Sequence, residues 1–284
     1  MNLKEIKQRI LSVKSTQKIT SAMKLVSTAK LRRAQNAIES MRPYQNKLNE
    51  MLLHFLHSTS SVSSSFTRQG DIKRVALVIV SSNTTLCGAF NANIIRKAKG
   101  VIDEYTSKGV VIELYPVGKK ISEALRKMGY EMNLALCEQA ASVSYDVVEK
   151  VASGFIERFS TGYFDRVEII YTYFHSPAKL EPIRELYLPI ENMPEEDNAD
   201  TNEYIVEPDK EDFAKKLLPK VIVLRLYASL LNSVASEHAA RMMAMQIATD
   251  NADDLITELV REYNKGRQQA ITNELLDIVA GSAN

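Results

Sequence analysis

Cysteine and histidine are scarce in this chain of 284 residues: Cys87 and Cys137 lie fifty positions apart with no Cys-x-x-Cys, and the four histidines, His54, His57, His175 and His238, have no metal-ligand spacing. That removes disulfide scaffolds and ordinary zinc sites, and a reducing compartment is expected. Long apolar runs are also missing. The longest, Val75 to Val80, is far short of the ~20 residues that a helix needs to cross a bilayer. The opening residues Met1-Asn2-Leu3-Lys4-Glu5-Ile6 resemble neither a signal peptide nor a transit peptide, so the chain is expected to stay where it is made. Charge of one sign is absent overall: 36 basic and 35 acidic side chains leave +1, so any electrostatic message is local. Neither GxGxxG nor GxSxG occurs. In the one phosphate-loop-like pair, Gly118-Lys119, the position of that loop's first glycine holds Glu113. No catalytic residue, cofactor site or metal site is expected.

What is present is the balance of an ordinary globular protein, 45% hydrophobic and 25% charged. From Leu3 to about His57, apolar residues recur at helical spacing through Ile6, Ile10, Val13, Met23, Val26, Ala34, Ala37 and Met41. One amphipathic helix of roughly 80 Å follows, at ~1.5 Å per residue, with a bend expected at Pro43. Ser58 to Ser65 and Gly70 read as an exposed linker. The period then changes. The β-branched run Val75 to Val80, the helical pattern Asn91 to Tyr105 and the run Val110 to Val117 make a βαβ unit. Helical stretches at Ile121 to Met128 and Tyr145 to Phe159, with strand-like runs at Val167 to Phe174 and Glu185 to Leu188, complete a small Rossmann-like α/β domain with a mostly parallel sheet. An acidic connector, Pro189 to Asp200, leads away from it.

The last segment starts with a short helical piece, Asp209 to Leu217, and restarts at Pro219. Small or apolar residues then recur by threes and fours through Val221, Leu224, Ala228, Leu231, Ala235, Met242, Met245, Ala248, Ala252, Ile256, Leu259 and Tyr263, a coiled-coil spacing. A helix of about 60 residues cannot hide such a stripe against a domain whose radius of gyration is only ~13 Å. The two terminal helices are therefore expected to cover each other as an antiparallel two-helix coiled coil, with the α/β domain inserted between them, a rod with a bulb. The expected division is 1–60 for the first coiled-coil helix, 61–208 for the α/β domain with its acidic connector, and 209–284 for the second helix.

Charge is concentrated on the first helix. Lys4, Lys7, Arg9, Lys14, Lys18, Lys24, Lys30, Arg32 and Arg33 face only Glu5 before Glu39. Such a face can lie on nucleic acid, on anionic lipid or in a carboxylate-lined protein groove, or it can simply be solvated. The absence of aromatic residues from this stretch argues against nucleic acid.

Three separated motifs carry a resemblance. Gln17-Lys18-Ile19-Thr20-Ser21-Ala22-Met23-Lys24-Leu25-Val26, Ala235-Ser236-Glu237-His238-Ala239-Ala240-Arg241-Met242-Met243-Ala244-Met245 and Tyr263-Asn264-Lys265-Gly266-Arg267-Gln268-Gln269-Ala270-Ile271-Thr272-Asn273-Glu274-Leu275, with Leu86-Cys87-Gly88 and Asn91 between them, resemble the gamma subunit of F-type ATP synthases. The resemblance implies a non-catalytic central shaft. Its coiled coil stands inside a ring of three alpha and three beta subunits, its globular part meets the epsilon subunit and the membrane c-ring, and ion flow turns ring and shaft together. It also implies residues that contact the beta subunits: Arg267 and Gln268 as a gripping pair, Thr272 and Glu274 one turn on, and Met23, Lys24 and Arg241 near the middle of the rod. Arg241, beside Ala239-Ala240, is expected to be free to point outward. The location implied is the cytoplasmic face of a bacterial plasma membrane, peripheral and held through the complex, with no nucleic-acid partner.

The chain departs from the family pattern in two places. Many members read Ser-Ser-Asp-Arg-Gly-Leu-Cys-Gly after the first strand, where this chain reads Ser81-Ser82-Asn83-Thr84-Thr85-Leu86-Cys87-Gly88 and so loses a charge pair. Gly266 stands where alanine is common; it is expected to cost the helix ~1 kcal/mol and to loosen the rod there.

Overall fold

The computed structural model describes residues 2–58, 70–140, 143–190 and 210–282. The elements are α1 (Leu3–Ser58), β1 (Arg74–Val80), α2 (Phe90–Ser107), β2 (Val111–Val117), α3 (Lys119–Lys127), a short 3-10 segment (Leu134–Ala140), α4 (Tyr145–Ser160), β3 (Arg166–Ser176), β4 (Lys179–Leu188) and α5 (Lys210–Ser282). They form two compact units, one of Met1–Ala29 with Arg241–Asn284, the other Lys30–Ala240. Of the serine-rich stretch only Ser58 and Gly70 fall among the described residues, and most of the acidic connector falls outside them.

In the larger unit the sheet order is β2-β1-β3-β4. β1 pairs in parallel with both β2 and β3, and β3 pairs antiparallel with β4. Alternation along β1 divides the core. Val75, Leu77 and Ile79 join Ile94, Ala98 and Ile102 of α2 and Ile121 and Leu125 of α3. Ala76, Val78 and Val80 face Val148, Ala152 and Phe155 of α4 together with Leu218, Val221 and Ile222 of α5. Helices thus cover both faces, which is why the central strand β1 can be apolar from Val75 to Val80. Val221 and Leu224, expected on a helix-helix seam, lie in this sheet core instead. Tyr187 ties sheet to helix by donating to the Ile222 carbonyl at 2.8 Å, and Ser236 donates to the Thr172 carbonyl at 3.0 Å.

The expected break before Pro219 does not occur. α5 runs unbroken through that proline, as α1 runs through Pro43. Leu217, Leu218, Val221 and Ile222 are all buried, and this packing outweighs the loss of one backbone hydrogen bond. The apolar window within 216–278 that is long enough to span a membrane is 67% buried inside the protein, as befits a core helix.

Candidate functional site

The smaller unit consists of the first turns of α1 and the later turns of α5. Three contacts set its register. Gln17 Nε2 donates to Asp253 Oδ1 at 2.6 Å, the Thr20 and Thr249 hydroxyls meet at 2.8 Å, and the Cα of Gly266 faces Leu3, whose Cδ2 lies 3.1 Å from where a β-carbon would stand. Residue numbers rise on one helix as they fall on the other, so the pair is antiparallel. A series of covered positions runs through Ile6, Ile10, Val13, Gln17, Thr20, Lys24 and Ser27 on α1 and through Met242, Met245, Thr249, Ala252, Ile256, Leu259 and Tyr263 on α5, with others, Met23, Ala248 and Leu255 among them, part-covered beside it. Both series alternate three and four, the period of a left-handed supercoil.

The seam corrects one expectation. Val26 is not in it: Val26 is 56% exposed, whereas Ser27 is 2% exposed and donates to the Met23 carbonyl at 2.8 Å. There the sustained three-four alternation, rather than side-chain hydrophobicity, decides which residue faces inward. Ala248 is part-covered as expected, and Thr249 beside it is part-covered too, with its hydroxyl satisfied by Thr20 and by the Met245 carbonyl at 2.8 Å.

The pairing ends at Gly266 opposite Leu3. Beyond it α5 continues without α1 beside it, and Arg267, Gln268, Thr272 and Glu274 are all exposed. Thr272 Oγ1 donates to the Gln268 carbonyl at 2.9 Å, a bond that keeps its hydroxyl on the helix. The same turns expose Ile271, Leu275, Leu276 and Ile278. These four were not singled out from sequence, although apolar residues at i, i+4, i+5 and i+7 past the last seam residue were a legible signal. Gly266 meets the Leu3 side chain on α5's last seam turn, where a β-carbon would stand 3.1 Å from Leu3 Cδ2.

Met23 and Lys24 are half-buried on the seam. Arg241 differs from expectation: it is only 8% exposed, so its guanidinium is enclosed by the chain rather than projecting freely. The seven residues thus separate into an exposed group on one helix end, Arg267 to Glu274, and a second group in which Met23 and Lys24 are half-buried and Arg241 is buried. The chemistry available to the exposed group is recognition: a planar guanidinium fork, an amide, a hydroxyl and a carboxylate beside apolar side chains.

The α/β unit has a helix start where related folds hold phosphate, but here the protein fills it. Lys119 N donates to Asn83 Oδ1 at 3.0 Å, Lys120 N to the Ser82 carbonyl at 3.1 Å, and Ile121 N to Ser81 Oγ at 3.0 Å. Gly118, at φ +99°, lies so close to Ser81 that a β-carbon would sit 2.8 Å from its Oγ. Elsewhere in this unit polar side chains brace helix to sheet. Buried Glu168 accepts from Arg184 Nε at 2.7 Å and from Tyr105 Oη at 2.7 Å, while Arg184 Nη1 donates to Glu104 at 2.7 Å. Burial, and then the hydrogen bond to Glu168, push the Tyr105 phenol up. Hydrogen bonds from Lys108 and then Arg184 hold the Glu104 carboxyl below its ordinary range.

Comparison with known proteins decides what these helices belong to. A family model described as ATP synthase matches residues 2–284. The ATP synthase gamma chain of Phocaeicola vulgatus is 50% identical, with 99% of each chain covered. The chain belongs to the ATP synthase gamma chain family. The gamma chain of Bacteroides fragilis is also 50% identical, over 99% of each chain. Among solved structures, the central stalk and c-ring assembly of Tetrahymena thermophila mitochondrial ATP synthase contains a chain of similar fold, 26% identical with TM-score 0.60, over 81% of this chain and 99% of that one. The OSCP/F1/c-ring assembly of Euglena gracilis mitochondrial ATP synthase contains another at TM-score 0.66 and 19% identity, over 99% and 93%.

Proposed function

We propose that the chain is the central-stalk rotor of an F-type ATP synthase, coupling ion-driven rotation of a c-ring to conformational cycling of catalytic beta subunits for ATP synthesis or hydrolysis. It is a non-catalytic subunit of that complex. Its partners in this reading are three alpha and three beta subunits around the helix pair, and epsilon and the c-ring at the α/β unit; the complex holds it peripherally at the cytoplasmic face of a bacterial plasma membrane. The observation that carries the reading is the end of the helix pairing at Gly266 and Leu3, beyond which α5 offers polar and apolar side chains that this chain does not cover.

The mechanism is differential contact. An asymmetric helix pair presents a different face to each of three identical neighbours, and rotation permutes which neighbour meets which face. Moving one neighbour from 1:99 to 99:1 between two conformations requires ~5.5 kcal/mol of differential contact free energy. Charge-assisted hydrogen bonds of about 1.5–3 kcal/mol each, made by Arg267 and Gln268 in one orientation only, are of that size. Half-buried Met23 and Lys24 and buried Arg241 hold the helix pair in shape and contact beta through their uncovered parts and the surface around them. Nothing in the fold or the comparisons favours a nucleic-acid or membrane-binding role for the basic face of α1.

The test is the double substitution Arg267→Ala with Gln268→Ala in the reconstituted complex. Rotation-coupled ATP hydrolysis and synthesis are expected to fall at least about tenfold, the equivalent of one lost charge-assisted bond, while alpha, beta and epsilon still co-purify. Full coupling in the double variant would remove the assignment.

A further inference from the structure

A recess of about 440 Å³ lies between α2 and the edge strand β4, wholly within the larger unit, and its size is that of small-molecule sites. Its wall on α2 is one stripe of that helix, Asn93, Lys97, Gly100 and Glu104 at intervals of three and four, with Arg96 and Val101 beside it. Its wall on β4 is Pro182 and Arg184, two positions apart and so on one face of the strand.

Two features of the recess have no explanation in the fold. One is Gly100, inside a helix of 18 residues, where glycine is less favourable than alanine. A β-carbon at Gly100 would meet nothing within 4 Å, so no close packing requires its absence; what the glycine does is keep the recess open. The other is a pair of cations. Arg96 and Lys97 are exposed, and among the described residues neither has a hydrogen-bond or ion-pair partner. Position 100, one turn on from Arg96, is where a carboxylate would pair with it, and it holds no side chain.

The neighbouring charges are already committed. Glu104 is paired with Lys108 and with Arg184, each at 2.7 Å, and Arg184 is held further by Glu168 and the Tyr105 hydroxyl. Asp103, the other carboxylate of α2, does not line the recess. The flanking acids of β4 face the opposite side of the sheet, Glu181 toward His175 and Glu185 toward Arg225. Glu104 stands ~12 Å along the helix from Arg96, beyond the screening length of physiological salt, so it does not neutralise the cationic end.

We propose that this recess binds a phosphomonoester of about nucleotide size, its phosphate held by Arg96 and Lys97 and its body lying against Val101 and Pro182. Charge selects the phosphate. A single carboxylate would compensate one of the two cations, whereas a phosphomonoester carries about −1.5 to −2 near neutrality and offers three acceptor oxygens to a guanidinium fork and an ammonium. Volume selects the body, because the recess is far larger than a bare phosphate ion and its remaining lining includes Gly100, Val101 and Pro182. The ester is either a soluble nucleotide-like molecule or the headgroup of phosphatidic acid in a membrane. The inference is independent of the rotor reading, since it involves this chain alone.

The test uses the purified full chain with two probes, AMP by titration calorimetry and vesicles containing phosphatidic acid by flotation, with phosphatidylcholine vesicles as the control. One probe is expected to bind saturably: AMP at one per chain below about 1 mM, which identifies a soluble ester, or the phosphatidic acid vesicles alone, which identifies a headgroup. Arg96→Ala with Lys97→Ala is expected to weaken that binding at least about tenfold, as loss of one charge-assisted bond would. Gly100→Leu keeps both cations but fills the recess, so it is expected to abolish binding while the unfolding midpoint rises by about 2 °C through the better helix former. Inorganic phosphate is expected to compete at least tenfold more weakly than AMP. Binding of neither probe, binding that survives in Gly100→Leu, or inorganic phosphate equal to AMP would each overturn the proposal.

Discussion

The α/β unit and the helix pair spend their apolar residues differently. Around the sheet, Leu77, Ile79, Ile94, Ile102, Ile169 and Ile170 are wholly enclosed, and helices cover both faces. Along the helix pair the covered positions include Gln17, Thr20, Lys24, Ser27, Thr249 and Ala252, while Leu11, Ile19, Leu25, Val26 and Ile247 face outward. One region closes its own core. The other joins its two helices through Ile6, Met245 and Leu259 interleaved with small and polar groups, and leaves large apolar side chains exposed.

Truncating a core residue in each region should expose this difference most clearly. Ile79→Ala leaves a cavity in a close-packed layer and is expected to cost about 3–4 kcal/mol in denaturant unfolding, whereas Ile6→Ala, on a seam that can close around the loss, is expected to cost less than half of that. Equal losses would mean that the helix pair is packed like a domain core.

Glycine substitutions sharpen the contrast at smaller scale. At Gly118 an added methyl meets the Ser81 backbone and the residue holds φ +99°, so Gly118→Ala is expected to destabilise by at least ~2 kcal/mol. At Gly266 the same methyl meets only the tip of Leu3, 3.1 Å away. A leucine in the first turn of a helix can shift by a few tenths of an ångström, so Gly266→Ala is expected to stabilise, by up to ~1 kcal/mol of helix propensity. Thermal unfolding of the two variants, measured side by side, checks both signs.

The smallest effect concerns pH. Glu104 has a folded-state pKa below its unfolded value, so its stabilising contribution is complete above the ordinary carboxylate range and is lost as pH falls through the lowered value. Because the group is 40% exposed, the contribution is a few tenths of a kcal/mol. The urea midpoints of wild type and Glu104→Gln should differ near neutrality and converge in acid; a difference that grew in acid would contradict the assigned cause.

Much of the fold was legible locally. The β-branched run at Val75 to Val80, the helical period of α2 and the repeat from Met242 to Tyr263 each carry their own signal, and the structure places all three elements there. The motif residues Arg267, Gln268, Thr272 and Glu274 were legible through resemblance alone, since nothing in their spacing distinguishes a gripping face from a solvated one. What local pattern misjudged was competition between elements. Pro219 signals a helix start, yet a buried stretch on either side of it carries the helix through. Val26 is more apolar than Ser27, yet the seam takes the serine because the alternation begun at Ile6 fixes the phase.

The sequence by itself determined which stretches are helix or strand, that the chain's two ends share a coiled-coil period, and which family it joins, because those properties are written in neighbours a few positions apart or in contiguous motifs. Only the tertiary structure decided that β4 returns antiparallel along β3, that the helix pairing stops at Gly266 against Leu3, that Arg241 is enclosed, and that Gly100 of α2 lines a recess with Pro182 and Arg184 of β4. Each of these depends on groups far apart in the chain meeting at a particular distance, and no local period encodes that distance.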